Sequence, residues 1–84
     1  MFEILYHPDV RKDLERISSD KKITIRKAIE EKLMKAPQEF GEALRRNWKG
    51  YWKLRVGDYR IIYKISSETV TIFRIGHRRE IYEK

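Results

Sequence analysis

The sequence predicts an α+β domain in which a two-helix hairpin packs on one face of a mainly antiparallel four-stranded sheet. Three observations lead to this class. Apolar residues alternate near the N-terminus, they recur every three or four positions before Pro37, and they alternate again after residue 50. The expected element order is β-α-α-β-β-β. At 84 residues the chain should form one domain, residues 1–84, around a single modest core.

The first half supplies one strand and both helices. Alternation over residues 2–6 indicates a short strand, and apolar residues at helical spacing predict an amphipathic helix over 8–17. The segment 18–20, Ser-Ser-Asp, interrupts this helix and offers a capping side chain for a second helix over 20–35. Pro37 should end that helix. Residues 41–50 are then predicted to connect the helices to the rest of the sheet.

Residues 51–63, YWKLRVGDYRIIY, are typical of a β-hairpin closed by a two-residue Gly57-Asp58 turn. This register places Arg55 opposite Arg60, and like charges in that position destabilise a sheet unless an anion lies between them. Alternation predicts a core-facing set: Trp52, Leu54, Val56, Tyr59, Ile61 and Tyr63. The opposite, basic face should carry Tyr51, Lys53, Arg55, Arg60 and Lys64.

A turn at 66–68 and a final strand over 69–75 complete the predicted sheet. On two-residue turn geometry Ile72 faces the core, whereas Phe73 and Ile75 lie on the basic face. Exposed apolar residues beside basic groups would indicate a partner whose amphipathic helix or acidic extended segment covers both. The tail, residues 76–82, is expected to leave the edge of the sheet.

Composition excludes several kinds of site. There is no cysteine, there is no glycine-rich phosphate loop, and the two histidines are far apart in sequence, so we predict no metal and no cofactor. The sequence has neither a membrane-spanning apolar run nor a signal-peptide pattern. We therefore expect a cytoplasmic protein that does not associate with a membrane.

The net charge of +7 comes from the second half of the chain. Residues 1–42 hold nine basic and nine acidic residues, whereas residues 43–84 hold eleven basic and four acidic ones. Basic residues interleaved with tryptophan and tyrosine are typical of a surface that faces nucleic acid, although a solvated basic face that keeps the protein soluble is the alternative. The candidate RNA contacts are Arg45, Arg46, Lys49, Tyr51, Arg55, Lys64 and Arg79.

Lysine and arginine beside aromatic rings can support phosphodiester chemistry on RNA. Attack by the ribose 2′-OH on the adjacent phosphate needs a base, stabilisation of charge on the phosphorane, and an acid for the 5′-oxygen. Arginine offers a fixed bidentate donor to the phosphate. A lysine crowded by Arg55 and Arg60 has its proton affinity lowered by like charges, which is one route to a base. An aromatic ring can stack on a base and hold the 2′-OH in line.

The predicted order of elements, the run LRVGDYRIIY at 54–63 and the ending IGHRREIY at 75–82 resemble the RelE/ParE superfamily of toxins, and specifically its RelE branch. The resemblance spans nearly the whole chain. It implies a microbial-RNase-like fold and cleavage of mRNA in the ribosomal A site. It also implies neutralisation by a cognate RelB-like antitoxin.

Position by position, the resemblance implies roles for four residues. Lys53 matches a basic residue implicated in activating the 2′-OH, and Arg60 matches the arginine that stabilises the phosphate in the transition state. Arg78 matches an arginine that protonates or neutralises the leaving oxygen, and Tyr82 matches a tyrosine that stacks on the substrate base. His77 is an alternative acid or base.

The sequence therefore predicts a metal-independent, ribosome-dependent mRNA endonuclease, the toxin of a type II toxin–antitoxin system. Two alternatives stay open. One is a ParE-like inhibitor of DNA gyrase, although such relatives usually lack the full lysine, arginine and tyrosine set. The other is an inactive homologue that only binds antitoxin, suggested by Tyr51 where some RelE enzymes carry a second lysine.

Overall fold

The computed structural model describes residues 1–81. The strands are β1 (Glu3–Tyr6), β2 (Glu42–Ala43), β3 (Trp52–Val56), β4 (Tyr59–Ser66) and β5 (Thr69–His77). The helices are α1 (Val10–Glu15), α2 (Ser19–Ala28), α3 (Pro37–Phe40) and α4 (Arg78–Ile81). A π-helical turn (Ile29–Leu33) continues α2, and a 3-10 turn (Arg46–Trp48) precedes β3. Tyr82, one of the predicted site residues, lies outside the described residues.

The predicted α+β class is confirmed. The sheet has the order β1-β5-β4-β3-β2, with β1 parallel to β5 and the other pairs antiparallel. It contains five strands where four were predicted, because Glu42 and Ala43 in the predicted connection pair with Lys53 and Trp52. Two residues are too few to show an alternating pattern, which is why the sequence did not reveal β2.

The two helices of the hairpin lie where they were predicted but are shorter. The hydroxyl of Ser18 caps α2 by accepting a hydrogen bond from the Lys21 amide at 3.4 Å. The second helix ends before Pro37, as predicted. Pro37 is itself the first residue of α3, a position that suits a residue without an N–H. Within residues 1–81 no helix is both long and apolar enough to cross a membrane.

The core lies between the sheet and the helices α1 and α2. Its buried residues come from both layers: Val10, Ile17, Ile25, Ala28, Ile29, Leu33, Leu54, Ile61, Tyr63, Val70, Ile72 and Ile75. The predicted hairpin is confirmed, since Val56 pairs with Tyr59, Arg55 with Arg60, and Leu54 with Ile61. The predicted core-facing set of that hairpin does face the helices.

A β-bulge in β5 overturns one prediction. In the β4–β5 ladder Ile62 pairs with Arg74 and Tyr63 pairs with Ile72, so Phe73 is an extra residue on β5. The prediction that Ile75 lies on the basic face is wrong: Ile75 is 1% exposed and belongs to the core. The bulge changes the alternation by one residue, which puts both Ile72 and Ile75 towards the helices. Phe73 remains on the basic face, against Tyr51.

The tail does not leave the sheet as predicted. Strand β5 continues to His77, and α4 then folds back so that Ile81 becomes buried over Gly76. A Cβ built on Gly76 would lie 3.1 Å from Cδ1 of Ile81, so the absence of a side chain at residue 76 makes room for α4.

Candidate active site on the helix-free face of the sheet

Three basic residues share the face of the sheet that points away from α1 and α2. We call it the helix-free face because neither α1 nor α2 covers it; the short helix α4 covers one part of it, over Gly76 beside Arg60. Lys53 and Arg55 are two positions apart on β3, and Arg60 on β4 pairs with Arg55. Leu54 and Ile61, their neighbours in the chain, are in the core, so alternation directs the three basic residues to the opposite side. The hairpin therefore brings together the positions proposed for the base and for the phosphate-binding arginine.

Arg60 is the most constrained of these residues. It is only 6% exposed, and its Nη1 donates hydrogen bonds to the Gly57 carbonyl at 3.0 Å and to the Tyr59 carbonyl at 2.9 Å. Within residues 1–81 its other two nitrogens make no hydrogen bond, and no carboxylate forms an ion pair with it. Because two backbone carbonyls hold its Nη1 in place, the guanidinium of Arg60 is a preorganised donor for an anion.

Lys53 has an ion-pair partner that the sequence did not reveal. Its Nζ lies 3.6 Å from Oε1 of Glu42, and the two residues are cross-strand neighbours on β3 and β2. Glu42 is exposed and Lys53 is partly exposed, and an ion pair near the surface contributes about 0.2–1 kcal/mol. An anion that binds at Arg60 therefore competes with Glu42 for Lys53.

Arg78 is attached to the same turn that orients Arg60. Its backbone N–H donates to the carbonyl of Asp58 at 2.8 Å, while Gly57 accepts from the Arg60 side chain. Arg78 and Arg79 are both exposed on α4. The hairpin turn thus holds the start of α4 close to Arg60, which supports a shared site for Arg60 and Arg78.

His77 lies on the other side of the sheet. It pairs with Tyr59, whose ring packs against the core and lies 5.7 Å from the imidazole, measured between ring centroids. His77 also lines a groove of about 230 Å³ beside residues of α2 such as Lys21 and Thr24. The structure does not bring His77 together with Lys53 and Arg60, so a role in their chemistry gains no support from this arrangement.

The remaining predicted RNA contacts fall in two groups. Tyr51 and Lys64 lie on the helix-free face, where Nζ of Lys64 is 4.5 Å from the centroid of the Tyr51 ring. Arg45, Arg46 and Lys49 are exposed in and around the 3-10 turn before β3. The 3-10 turn precedes β3, whereas Arg60 lies beside the Gly57-Asp58 hairpin turn, at the opposite end of β3. These three residues therefore flank the site without forming part of its centre.

Comparisons with known proteins agree with this architecture. A curated protein from Mycobacterium tuberculosis, toxin RelG, is 41% identical over 54 residues, which span 62% of this chain and 62% of that protein. The chain thus covers less than two thirds of the length of this relative.

Two toxin–antitoxin complexes of known structure have the same fold. The RelBE2 complex from M. tuberculosis contains a chain that is 27% identical, with a TM-score of 0.86 and coverage of 94% of this chain and 93% of that one. In the RelB–RelE complex from Methanococcus jannaschii the identity is 24%, the TM-score is 0.74, and the coverage is 94% and 95%. The sequence also matches, over residues 4–82, the family described as ParE toxin of type II toxin–antitoxin system, parDE. The chain therefore belongs to this toxin family, within the RelE/ParE superfamily.

Proposed function

We propose that this toxin is an endoribonuclease that cuts mRNA in the ribosomal A site by attack of a ribose 2′-OH on the adjacent phosphate. The observation that carries the proposal is the pairing of Arg55 with Arg60 on the face of the sheet opposite α1 and α2, with no carboxylate in an ion pair with either among residues 1–81. Two like charges opposite each other destabilise the sheet, but together they attract and stabilise an anion. The resemblance to the RelE branch supports the same substrate.

The proposed reaction uses Lys53 and Arg60 on the helix-free face and Arg78 at the start of α4. The 2′-oxygen forms a bond to phosphorus as the bond from phosphorus to the 5′-oxygen breaks, which leaves a 2′,3′-cyclic phosphate and a 5′-hydroxyl. Lys53, in its neutral form, accepts the 2′-OH proton, and Arg60 stabilises charge on the phosphorane. Arg78 neutralises the 5′-oxygen while that oxygen takes a proton from water, and the proton held by Lys53 returns to the resulting hydroxide. Tyr82 is proposed to stack on the substrate base.

Binding of the phosphate would displace Glu42 from Lys53. Because Glu42 is exposed and an ion pair near the surface is weak, the loss of this pair should limit the affinity for RNA only slightly. The variant Glu42→Gln keeps the side-chain size and removes the charge that competes with the phosphate. We expect it to bind RNA more tightly than the wild type.

The partner we propose is a RelB-like antitoxin made in the same cytoplasm. Both structural relatives described above are toxins in complex with an antitoxin, named RelB in the M. jannaschii complex. A basic face with partly exposed Phe73 suits an antitoxin segment that is acidic and partly apolar. The second proposed partner is the ribosome with mRNA in its A site.

Expression in a bacterium, followed by mapping of the 5′-ends of translated mRNAs, tests the nuclease proposal. The wild type should arrest growth and create new ends within coding regions. Arg60→Ala should reduce cutting about 100-fold or more, because it removes a donor to the transition-state charge. Arg11→Ala, which removes an exposed arginine from α1, should act as the wild type does. Growth arrest without new ends would contradict the proposal.

The second candidate function is inhibition of DNA gyrase. It is favoured by one observation, namely that the matched family is described as the ParE toxin of parDE systems. If it is correct, expression should induce a DNA-damage response and leave mRNA intact, and purified protein should inhibit gyrase supercoiling. A chain that causes neither effect but binds its antitoxin would instead be the inactive homologue.

A further inference from the structure

Four aromatic side chains form a continuous row across the helix-free face. His7 and Phe73 have ring centroids 5.3 Å apart, Phe73 and Tyr51 are 5.4 Å apart, and Tyr51 and Trp48 are 5.5 Å apart. His7 directly follows β1, Phe73 is in the bulge of β5, Tyr51 directly precedes β3, and Trp48 ends the 3-10 turn. We call this set the aromatic row. Phe73, the extra residue of the bulge in β5, lies at its centre.

The row is accessible and carries positive charge. Trp48 is 42% exposed, and the other three side chains are partly exposed. Nζ of Lys64 lies 4.5 Å from the Tyr51 ring centroid and 6.0 Å from that of Phe73. Lys64 forms no ion pair with a carboxylate of residues 1–81. A cation over rings, without an acidic partner, can be shared with an incoming phosphate.

The two ends of the row differ in charge. At the His7 end, Oδ2 of Asp9 lies 3.7 Å from the imidazole Nδ1, and this carboxylate would repel a phosphate. The other end, from Phe73 through Tyr51 to Trp48, has Lys64 beside it, and Arg46 and Lys49 are within two residues of Trp48 in sequence. A polyanion should therefore occupy the Trp48 end.

The row is also continuous with the proposed active site. Tyr51 is two residues before Lys53, and Lys64 is four residues after Arg60 on β4, on the same face. A chain whose phosphate is held at Arg60 can thus extend along β3 and β4, away from the hairpin turn, and reach the row.

We infer that the Trp48, Tyr51 and Phe73 rings are a stacking platform for bases of single-stranded RNA that flank the cleaved phosphate. That the bound phosphate is cleaved rests on the proposed nuclease function, whereas the stacking of RNA bases on the rings does not. Proteins that bind single-stranded nucleic acid without sequence preference combine aromatic rings, on which bases stack, with lysine and arginine that contact the phosphates. An acidic protein segment is the competing occupant, and the test distinguishes the two.

The test measures binding to a labelled single-stranded RNA whose riboses are 2′-O-methylated, so that it cannot be cut. Phe73→Ala and Tyr51→Ala should each weaken binding about tenfold, the effect expected for loss of one base–ring stack. In both variants the slope of log affinity against log salt concentration should stay unchanged, because no phosphate contact is lost. In Lys64→Ala this slope should decrease by about one, because one phosphate contact is lost. Wild-type Trp48 fluorescence should fall on binding, and Trp48→Phe should abolish that change.

The chain offers a matched control. Phe40 is 49% exposed, and Nζ of Lys32 lies 5.9 Å from its ring centroid, but both residues are outside the helix-free face. Phe40→Ala should bind RNA as the wild type does. Phe73→Leu keeps apolar volume but removes the ring, so it should weaken RNA binding even if Phe73→Ala proves too unstable to measure.

The outcomes separate this inference from the proposed function. Wild-type RNA affinity in Phe73→Leu and Tyr51→Ala would overturn the platform, whether or not the wild type cuts mRNA. Ring-dependent RNA binding by a chain that cuts nothing would keep the platform and reject the nuclease. If these substitutions weaken binding of the antitoxin but not of RNA, the row belongs to a protein interface and the inference is wrong.

Discussion

Arg55 and Arg60 face each other across the β3–β4 hairpin, and within residues 1–81 neither forms an ion pair with a carboxylate. Cross-strand like charges destabilise a sheet, so this pair lowers the stability of the free protein. The same repulsion favours binding of a phosphate between the two side chains. Stability and function should therefore change in opposite directions when the pair is broken.

Arg55→Gln should stabilise the free protein by about 0.2–1 kcal/mol at low salt. The gain should shrink at 0.5 M salt, because salt screens the repulsion that the substitution removes. Urea unfolding at the two salt concentrations measures this difference, and RNA affinity should fall in the same variant. Arg11→Gln on α1 is the control and should change neither quantity. A loss of stability in Arg55→Gln would contradict the repulsion argument.

Asp13 completes the edge of β5 where β1 ends. Its carboxylate is 12% exposed and accepts hydrogen bonds from the Ile75 amide at 2.9 Å and from Nε of Arg74 at 3.1 Å. Asp13→Ala should cost about 2–3 kcal/mol, because a partly buried N–H and a guanidinium lose a charged acceptor. Urea unfolding measures the loss.

The control for Asp13 is Asp9→Ala, which removes a more exposed carboxylate from the same region and should change the free energy of unfolding by less than about 0.5 kcal/mol. Asp13→Asn retains one acceptor oxygen and should fall between Asp13→Ala and the wild type. Equal effects at positions 9 and 13 would show that Asp13 does not support the strand edge.

The hairpin could be predicted because alternation and a Gly-Asp turn fix its register locally. Gly57 has a φ of 61°, a value that suits glycine at the turn. From that register followed the pairing of Arg55 with Arg60. The ion pair of Lys53 with Glu42 could not be foreseen, because it depends on β2, a two-residue strand whose pairing is set by the tertiary fold.

Errors appeared where the backbone departs from regular alternation. The bulge at Phe73 moved Ile75 into the core, and nothing in the local sequence distinguishes a bulge from a continuous strand. The sequence motif that contains His77 and Arg78 suggested that both belong to one site. Because residue 77 is still in β5 and α4 begins at residue 78, the structure instead places His77 on the helix side of the sheet.

Tyr63 predicts an alkaline loss of stability. Its hydroxyl is buried and donates to the Pro37 carbonyl at 2.8 Å, and burial raises the pKa of Tyr63 well above its usual value. Between the unfolded pKa of about 10 and the higher folded pKa, the unfolded chain binds fewer protons than the native one. Its contribution to stability is thus complete below about pH 10 and is lost as the pH rises further.

Tyr63→Phe isolates that contribution. At pH 7 the variant should be about 1–2 kcal/mol less stable, because the Pro37 carbonyl loses its donor. Above pH 10 the difference between the two proteins should narrow, since phenylalanine does not ionise. Chemical unfolding at several pH values between 8 and 11 measures both curves. Parallel curves over this range would mean that Tyr63 does not titrate on unfolding.

The contact of Ile81 with Gly76 predicts control of α4 by a single substitution. A Cβ at residue 76 would lie 3.1 Å and 3.2 Å from the Cδ1 and Cγ1 atoms of Ile81, so a branched side chain there must push α4 away from the sheet. Gly76→Val should therefore raise the amide hydrogen-exchange rates of residues 78–81, about tenfold or more, and leave those of β3 and β4 unchanged. Since Arg78 lies on α4, mRNA cutting should fall as well.

Two variants serve as controls. Ile81→Ala alone shows whether α4 still docks on the sheet without the Ile81 side chain. If it does, the double variant Gly76→Val/Ile81→Ala, which removes the clash, should recover slow exchange. Unchanged exchange in Gly76→Val would show that α4 does not depend on the space above residue 76.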